Sequence, residues 1–277
     1  MSVRKCLWCL KEEGKVTFEK KAHIIPKSLK GKLLSENECD ICNEFFGTQY
    51  PNDKGKKPAI DSVFKEALNV SRFRLLQSMF SDDVIEKREG KFKSYYFSFH
   101  RKKGLKLRRT LKLKKNFQRK LCTQFKRGLY KVFLETYHKN TNKGFDLRFN
   151  FIRDYVRYEH IYGTNLPVLY FENRVGSTPP FPEDYVINPQ IMFWDSEDDD
   201  FQKFGFSTFS LLGHTFAIPV NEAYHITYDS YFNNLEKPLT ILYKKSLKNI
   251  EYFADIDLTL SFLNDKKPVR KRPIIYT

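Results

Sequence analysis

Two Cys-x-x-Cys pairs, Cys6-Leu-Trp-Cys9 and Cys39-Asp-Ile-Cys42, constrain the first fifty or so residues more than any other feature. Each pair puts two sulfurs on one side of a tight turn, and two such knuckles complete the tetrahedral all-thiolate set that suits Zn2+. The metal itself keeps the thiols ionised, so no further base is needed. A closed four-sulfur site leaves no open coordination position, which makes its ion structural rather than catalytic. A unit of about 50 residues has too small a core to stand alone, so the metal is expected to supply much of its stability. A redox role for one pair would leave the second matched pair unexplained. The fifth cysteine, Cys122, lies in an apolar helical stretch and reads as a small buried hydrophobe.

Between the pairs runs KKAHIIPKSLKGK, residues 20–32, with His23 next to Ile24 and Ile25. With four sulfurs present, the zinc does not need this histidine. Three roles remain: a core imidazole, a nucleic-acid contact, or a general base that takes a proton from water near neutral pH. Asn43 follows the last cysteine directly. It can cap the helix that NEFFG begins, or offer its amide oxygen to a hard cation such as Mg2+.

The rest of the chain reads as α+β. Residues 51–58, PNDKGKKP, form a turn-rich linker. Helical spacing of apolar residues covers 60–80, with Phe64, Leu68, Leu75, Leu76, Met79 and Phe80 on one face, and further helices are predicted over about 116–138 and 146–158. KFKSYYFSFH and LKLRRTLKLKK, on either side of RKKG, read as a β-hairpin with one basic face. LPVLYFEN, PQIMFWD, FGFSTFSLLGHTFAIPV, EAYHITY and PLTILYKK predict an antiparallel sheet of about five strands, with SEDDD an acidic turn. The expected organisation is three regions: a zinc-stabilised module over 1–57, a mainly helical basic region with a hairpin over 58–164, and an acidic antiparallel β-rich region over 165–277.

Charge separates these regions. The net charge is +16, yet residues 101–131 hold fourteen Lys or Arg and no acid, whereas 165–265 hold fifteen acids against six bases. A basic block of this length gathers phosphates and releases counterions on binding. Its expected contacts are Lys102, Lys103, Arg108, Arg109, Lys112, Lys114 and Lys115, which set affinity without reading sequence. The acidic part is expected to serve dimerisation, or to take a regulatory ligand or protein. No apolar run of about 18 residues is present, so no membrane span is expected. The first residues lack the apolar core of a secretory signal, so a cytoplasmic location is expected.

The order Cys6-x2-Cys9, AHIIP, Cys39-x2-Cys42-Asn43 and FG resembles the HNH endonucleases, most of all the zinc-containing branch that includes the phage resolvase endonuclease VII. The resemblance covers residues 1 to about 55. It implies a ββα-metal fold in which His23 is the general base for hydrolysis of a DNA phosphodiester. It also implies that Asn43 is a ligand of one catalytic divalent ion, Mg2+ or Mn2+, with double-stranded DNA as partner. One position departs from the pattern: where the family often carries Asp or Glu directly before the histidine, this chain has Ala22. Asp53, Asp61, Glu44 and Glu19 are the candidate carboxylates to replace it. HNH proteins with a large unassigned C-terminal part resemble restriction or antiphage effectors and also mobile-element nucleases, and cutting both strands with one site per chain favours a homodimer. The alternative is a zinc-stabilised nucleic-acid-binding protein whose HNH site is degenerate.

Overall fold

The computed structural model describes residues 3–48, 58–100, 104–162, 166–171, 183–193, 204–234, 247–261 and 263. The predicted α+β class holds. After the knuckle region come α1 (Asp40–Gly47), α2 (Ile60–Met79), α3 (Asp82–Glu89), the hairpin β1 (Phe97–His100) and β2 (Gly104–Leu107), α4 (Lys115–Thr141) and α5 (Asn150–Tyr162). The C-terminal part contains β3 (Leu169–Phe171), α6 (Glu183–Ile187), β4 (Met192–Phe193), β5 (Phe206–Leu211), β6 (His214–Pro219), α7 (Tyr224–Asn234) and β7 (Leu247–Asn249). Among the described residues, no helix is long and apolar enough to cross a membrane.

α4 is the axis of the molecule. From Leu121 to His138 nearly every side chain is buried, the signature of a helix packed on all sides. α2 lies across it at a contact that only glycine allows: a Cβ on Gly128 would stand 2.6 Å from the Phe64 ring. The helix ends at Asn142, whose left-handed φ of 58° lets its N–H reach the His138 carbonyl at 2.7 Å.

Burial on α4 corrects one sequence expectation. Lys126, Arg127 and Lys131 belong to the basic block, yet they are 1%, 4% and 2% exposed. They tie the interior together instead of facing solvent. Lys126 Nζ donates to the Ile250 carbonyl at 3.4 Å, and Arg127 Nη2 donates to the Val156 carbonyl at 2.6 Å. A run of charge along the sequence wraps around a helix every 3.6 residues, so part of it turns inward when the helix is central.

The main sheet has the order β4-β5-β6-β3-β7 and is antiparallel throughout. Leu212 and Gly213, with φ of 47° and 84°, join β5 to β6 in a two-residue turn whose handedness matches the strand twist. Both central strands are buried on both faces. Phe209 and Phe216 face α4, stacking on Phe133 and lying 5.9 Å from Phe125. Phe206 faces the other way and stacks on Tyr231 at 4.4 Å. Tyr231 belongs to α7, where EAYHITY was expected to be a strand. Tyr224, Tyr228 and Tyr231 instead follow helical spacing and all meet Phe206. The fifth strand is β7, while PLTILYKK and SEDDD lie outside the described residues.

A buried imidazole pins the sheet to α2. His214 Nε2 lies 2.6 Å from Ser71 Oγ, and Ser71 Oγ also donates to the Leu258 carbonyl at 3.0 Å. Burial lowers the His214 pKa to about 4, against the opposite pull of Asp257. The unfolded value is near 6.5, so the folded protein binds fewer protons here. The stability this gives is full above pH 6.5 and is lost as pH falls towards 4. At 1.36 kcal/mol per pKa unit it amounts to about 3 kcal/mol. Thermal midpoints measured from pH 7 to pH 4 are expected to fall steeply in the wild type and less steeply in His214→Gln; equal slopes would remove this role.

Candidate active site and metal centre

The four sulfurs of Cys6, Cys9, Cys39 and Cys42 all lie within 4.8 Å of one another, and Cys9 and Cys39 are 3.7 Å apart. Zn–S bonds of about 2.3 Å place tetrahedral sulfurs roughly 3.8 Å apart, so the cluster has the size of a zinc site. None of the four is in a disulfide. The sulfur chemistry asks for a cation as well. The Cys6 thiol is drawn down to about 5 by the hydrogen bond from Cys42, whereas burial pushes Cys39 up to about 12. Cys42 is pushed up as well, first by that bond to Cys6 and then by burial. Four thiolates at this spacing need a metal's charge to coexist. The residues present fit a structural zinc.

The knuckles are anchored to the helices behind them. Trp8, inside the first pair, donates from Nε1 to Glu135 of α4 at 2.8 Å and meets Phe46 of α1 edge-on. Arg153 of α5, 2% exposed, donates to the Leu7 carbonyl at 2.9 Å. Glu38, directly before Cys39, is buried beside Lys131, whose Nζ is 3.3 Å from Glu38 and 3.2 Å from Glu135. Burial pushes the Glu38 carboxyl well up against the pull of Lys131. Burial alone would lower Lys131, but Glu135 and Glu38 more than offset it and hold the ammonium above its ordinary value. None of these ties was read from the sequence. The ties of Trp8 to Glu135, Leu7 to Arg153 and Glu38 to Lys131 join residues more than ninety positions apart, which periodicity cannot pair.

His23 sits on a minimal ribbon. It bridges Leu34, with Ile24 N–H to Leu33 O and Ser35 N–H to Ala22 O, both at 3.0 Å. The extended stretch KVTFEKKAHIIP thus carries isolated bridges and no named strand. The reason is local: Asp40, at the start of α1, takes the N–H groups of Glu19 at 3.1 Å and Lys20 at 2.7 Å that a partner strand would otherwise take. The Thr17 hydroxyl, then the Lys20 and Glu19 N–H groups, hold the Asp40 carboxyl below the usual range despite its slight burial. Asp40 therefore fastens α1 to the chain that leads into His23. Gly31 closes the ribbon, where a Cβ would stand 2.1 Å from the Ile25 carbonyl oxygen.

The His23 ring is half-buried, and its Nδ1 lies 3.2 Å from the Lys21 carbonyl. A carbonyl only accepts, so Nδ1 carries the proton in that bond and the Nε2 lone pair, which makes no hydrogen bond among the described residues, remains as a proton acceptor. Asn43 is in the first turn of α1, not at its cap, a place taken by Cys39. Its amide is half-buried and makes no hydrogen bond among the described residues. Ala22 is 2% exposed, packed inward next to His23.

The other candidate carboxylates divide. Glu44 pairs with Lys20 at 3.3 Å on the surface, and Glu19 is exposed. Asp61 starts α2 and lies beside the buried ion cluster. Burial raises its pKa, while Lys131 pulls it down and Glu38 pushes it up. Asp53 lies outside the described residues, as do Lys102 and Lys103. Arg108, Arg109, Lys112, Lys114 and Lys115 are exposed around the start of α4, and Arg108 Nε also donates to the Phe97 carbonyl at 2.8 Å. Arg119 and Lys120 extend the same exposed surface along the helix. Cys122 is buried, as its apolar neighbours implied, and burial raises its thiol to about 12.

The paired Cys-x-x-Cys knuckles lie together with the histidine-bearing ribbon and a short helix, and their four sulfurs have the spacing of a zinc site. A sequence model described as HNH endonuclease matches residues 6–58, about a fifth of the chain, the same stretch that carries the resemblance read from the motif. No curated protein and no solved structure matches the chain.

Proposed function

We propose that this protein is a metal-dependent DNA endonuclease with His23 as its general base. The observation that carries this reading is the His23 ring itself: its Nδ1 is tied to a backbone carbonyl and its Nε2 is left to accept, within a module matched to HNH endonucleases. In the reaction, His23 Nε2 takes a proton from water as the water oxygen attacks the phosphorus. The P–O3′ bond breaks, leaving a 5′-phosphate and a 3′-oxyanion, which takes a proton from solvent water to become the 3′-hydroxyl. Asn43, with its uncommitted amide oxygen, would hold the catalytic Mg2+ or Mn2+. Such an ion, when bound, supplies charge neutralisation at the phosphate and at the leaving oxygen. The exposed cations at the start of α4 hold the duplex backbone. Two chains supply the two cuts of a double-strand break, and the cellular setting is a cytoplasmic restriction or antiphage response.

One observation favours the second reading, a nucleic-acid-binding protein with a degenerate site. Ala22 faces inward and Asp61 lies beside Lys131, so neither presents a carboxylate to an ion next to His23. Nicking of supercoiled plasmid separates the two. Relaxed product in Mg2+ or Mn2+ and none in EDTA supports the nuclease; tight DNA binding without product in any divalent metal supports the second reading. Replacing Lys112, Lys114 and Lys115 together by Ala is expected to weaken duplex binding and to reduce the slope of log K against log salt by about 3, roughly one per lost phosphate contact. An unchanged slope would move the backbone contacts elsewhere.

A further inference from the structure

We propose that two adjoining cavities that share Phe92 form a nucleotide-binding site, with the base in the aromatic one and the phosphate in the cationic one. This inference rests on geometry apart from His23 and holds whether or not the protein cuts DNA.

The first cavity, about 260 Å3, lies against α3, and Phe73, Phe92 and Phe99 form its apolar wall. The Phe73 ring is 4.8 Å from Phe92 and 4.7 Å from Phe99, at 45° and 65°. These rings are tilted against one another, not stacked face to face, and Phe92 and Phe99 are only half-buried. Exposed aromatic surface in a concave wall is what a base stacks on. Asp82 and Glu86 also line this cavity. As carboxylates they accept hydrogen bonds, which suits the exocyclic amino groups of adenine, guanine and cytosine.

The second cavity, about 270 Å3, shares Phe73, Gly90, Lys91 and Phe92 with the first. Lys30, Lys65, Arg72, Lys91 and Lys93 line it against a single carboxylate, Glu89. That carboxylate is already committed: Arg72 grips it through two bonds of 3.0 Å, and Lys30 is 3.5 Å away. Lys65 pairs with Glu66 at 3.4 Å. Lys91 and Lys93 are exposed and have no ion-pair partner among the described residues. Two uncompensated ammonium groups at the mouth of a cation-lined cavity are a place for a phosphate. Gly90, at φ 74°, ends α3 and turns the chain so that Lys91 and Phe92 line both cavities. A stacking wall and a phosphate pocket that share Phe73, Gly90, Lys91 and Phe92 lie directly side by side, as the base and the phosphate of one nucleotide do. The nucleotide can arrive free or as one unit of a single strand, and the same contacts serve both.

The test measures binding in EDTA, so cleavage cannot influence it and its outcome is separate from the nicking assay. Probes are a fluorescent ten-nucleotide deoxyadenosine strand and unlabelled AMP. Wild-type protein is expected to bind the strand. Phe92→Ala is expected to weaken binding about tenfold, in line with the loss of one stacking platform. Lys91→Glu with Lys93→Glu, an exposed pair whose replacement leaves the core intact, is expected to weaken it at least as much. Competition by AMP places a free nucleotide in the site; strand binding that AMP does not disturb, yet both variants impair, assigns the site to a polynucleotide. Wild-type affinity for the strand and for AMP in both variants, or no binding of either probe by the wild type, overturns the proposal.

Discussion

Cys39→Ser is expected to empty the zinc site and unfold residues 3–48, with zinc content, measured by a metallochromic dye, falling from near stoichiometric to near zero. Cys39 is fully buried, supplies one of the four sulfurs, and is also the N-cap of α1. Serine is itself a good N-cap, so a loss of structure in this variant cannot be assigned to capping. What disappears is the metal's contribution, which in small zinc modules is about 10–16 kcal/mol of apparent binding free energy. The segment has little regular structure of its own: one eight-residue helix, a single 3-10 turn and isolated bridges. The damage should reach α4 as well, because Trp8 is the hydrogen-bond partner of Glu135 and Glu38 is the ion-pair partner of Lys131. Removing one partner from a buried ion cluster costs about 3–5 kcal/mol. Unchanged zinc content in Cys39→Ser would overturn the four-thiolate assignment.

His23→Ala is expected to lower plasmid nicking by about 10^2–10^4, the usual contribution of a positioned base, while duplex affinity in EDTA stays near that of the wild type. The ring is only half-buried, so its removal leaves no large enclosed cavity. A specific signature separates loss of a base from loss of structure: millimolar imidazole added to His23→Ala should restore part of the rate, whereas it should do nothing for Cys39→Ser. A His23→Ala enzyme that nicks as fast as the wild type would remove His23 from the chemistry and leave the zinc module as a binding element.

Much of this arrangement was legible in the residues themselves, and the parts that were not share one cause. The knuckles were plain because a matched pair of Cys-x-x-Cys turns has few other uses, and the sulfurs do converge. α2 was plain because its apolar spacing is strong; FGFSTFSLLGHTFAIPV was legible as strand but counted as one segment, and the Leu212–Gly213 turn divides it into β5 and β6. EAYHITY misled because Tyr224, Ile226 and Tyr228 alternate as in a strand, while Tyr224, Tyr228 and Tyr231 recur as in a helix. Only the Phe206 ring beneath them decides between the two. The basic block misled in the same way: Lys126, Arg127 and Lys131 carry the same charge as Lys112 and Lys114, but the packing of α4 turns them inward. The link that sets the attitude of the His23 ribbon is the Asp40 carboxylate. Its one sequence signal, an acid in the first turn of a helix, is common enough to pass unnoticed.

In the proposed nuclease, α4 would also act as a ruler. Its exposed cationic end begins at Lys115 and its contact with the zinc module is at Lys131, a rise of roughly 24 Å along one unbroken helix. On a duplex with a step of 3.4 Å this corresponds to about seven base pairs. A rod cannot stretch, so the grip and the scissile phosphate would keep a constant offset on every substrate, and the cut would fall at a fixed distance inside the protected footprint whatever sequence lies beneath it.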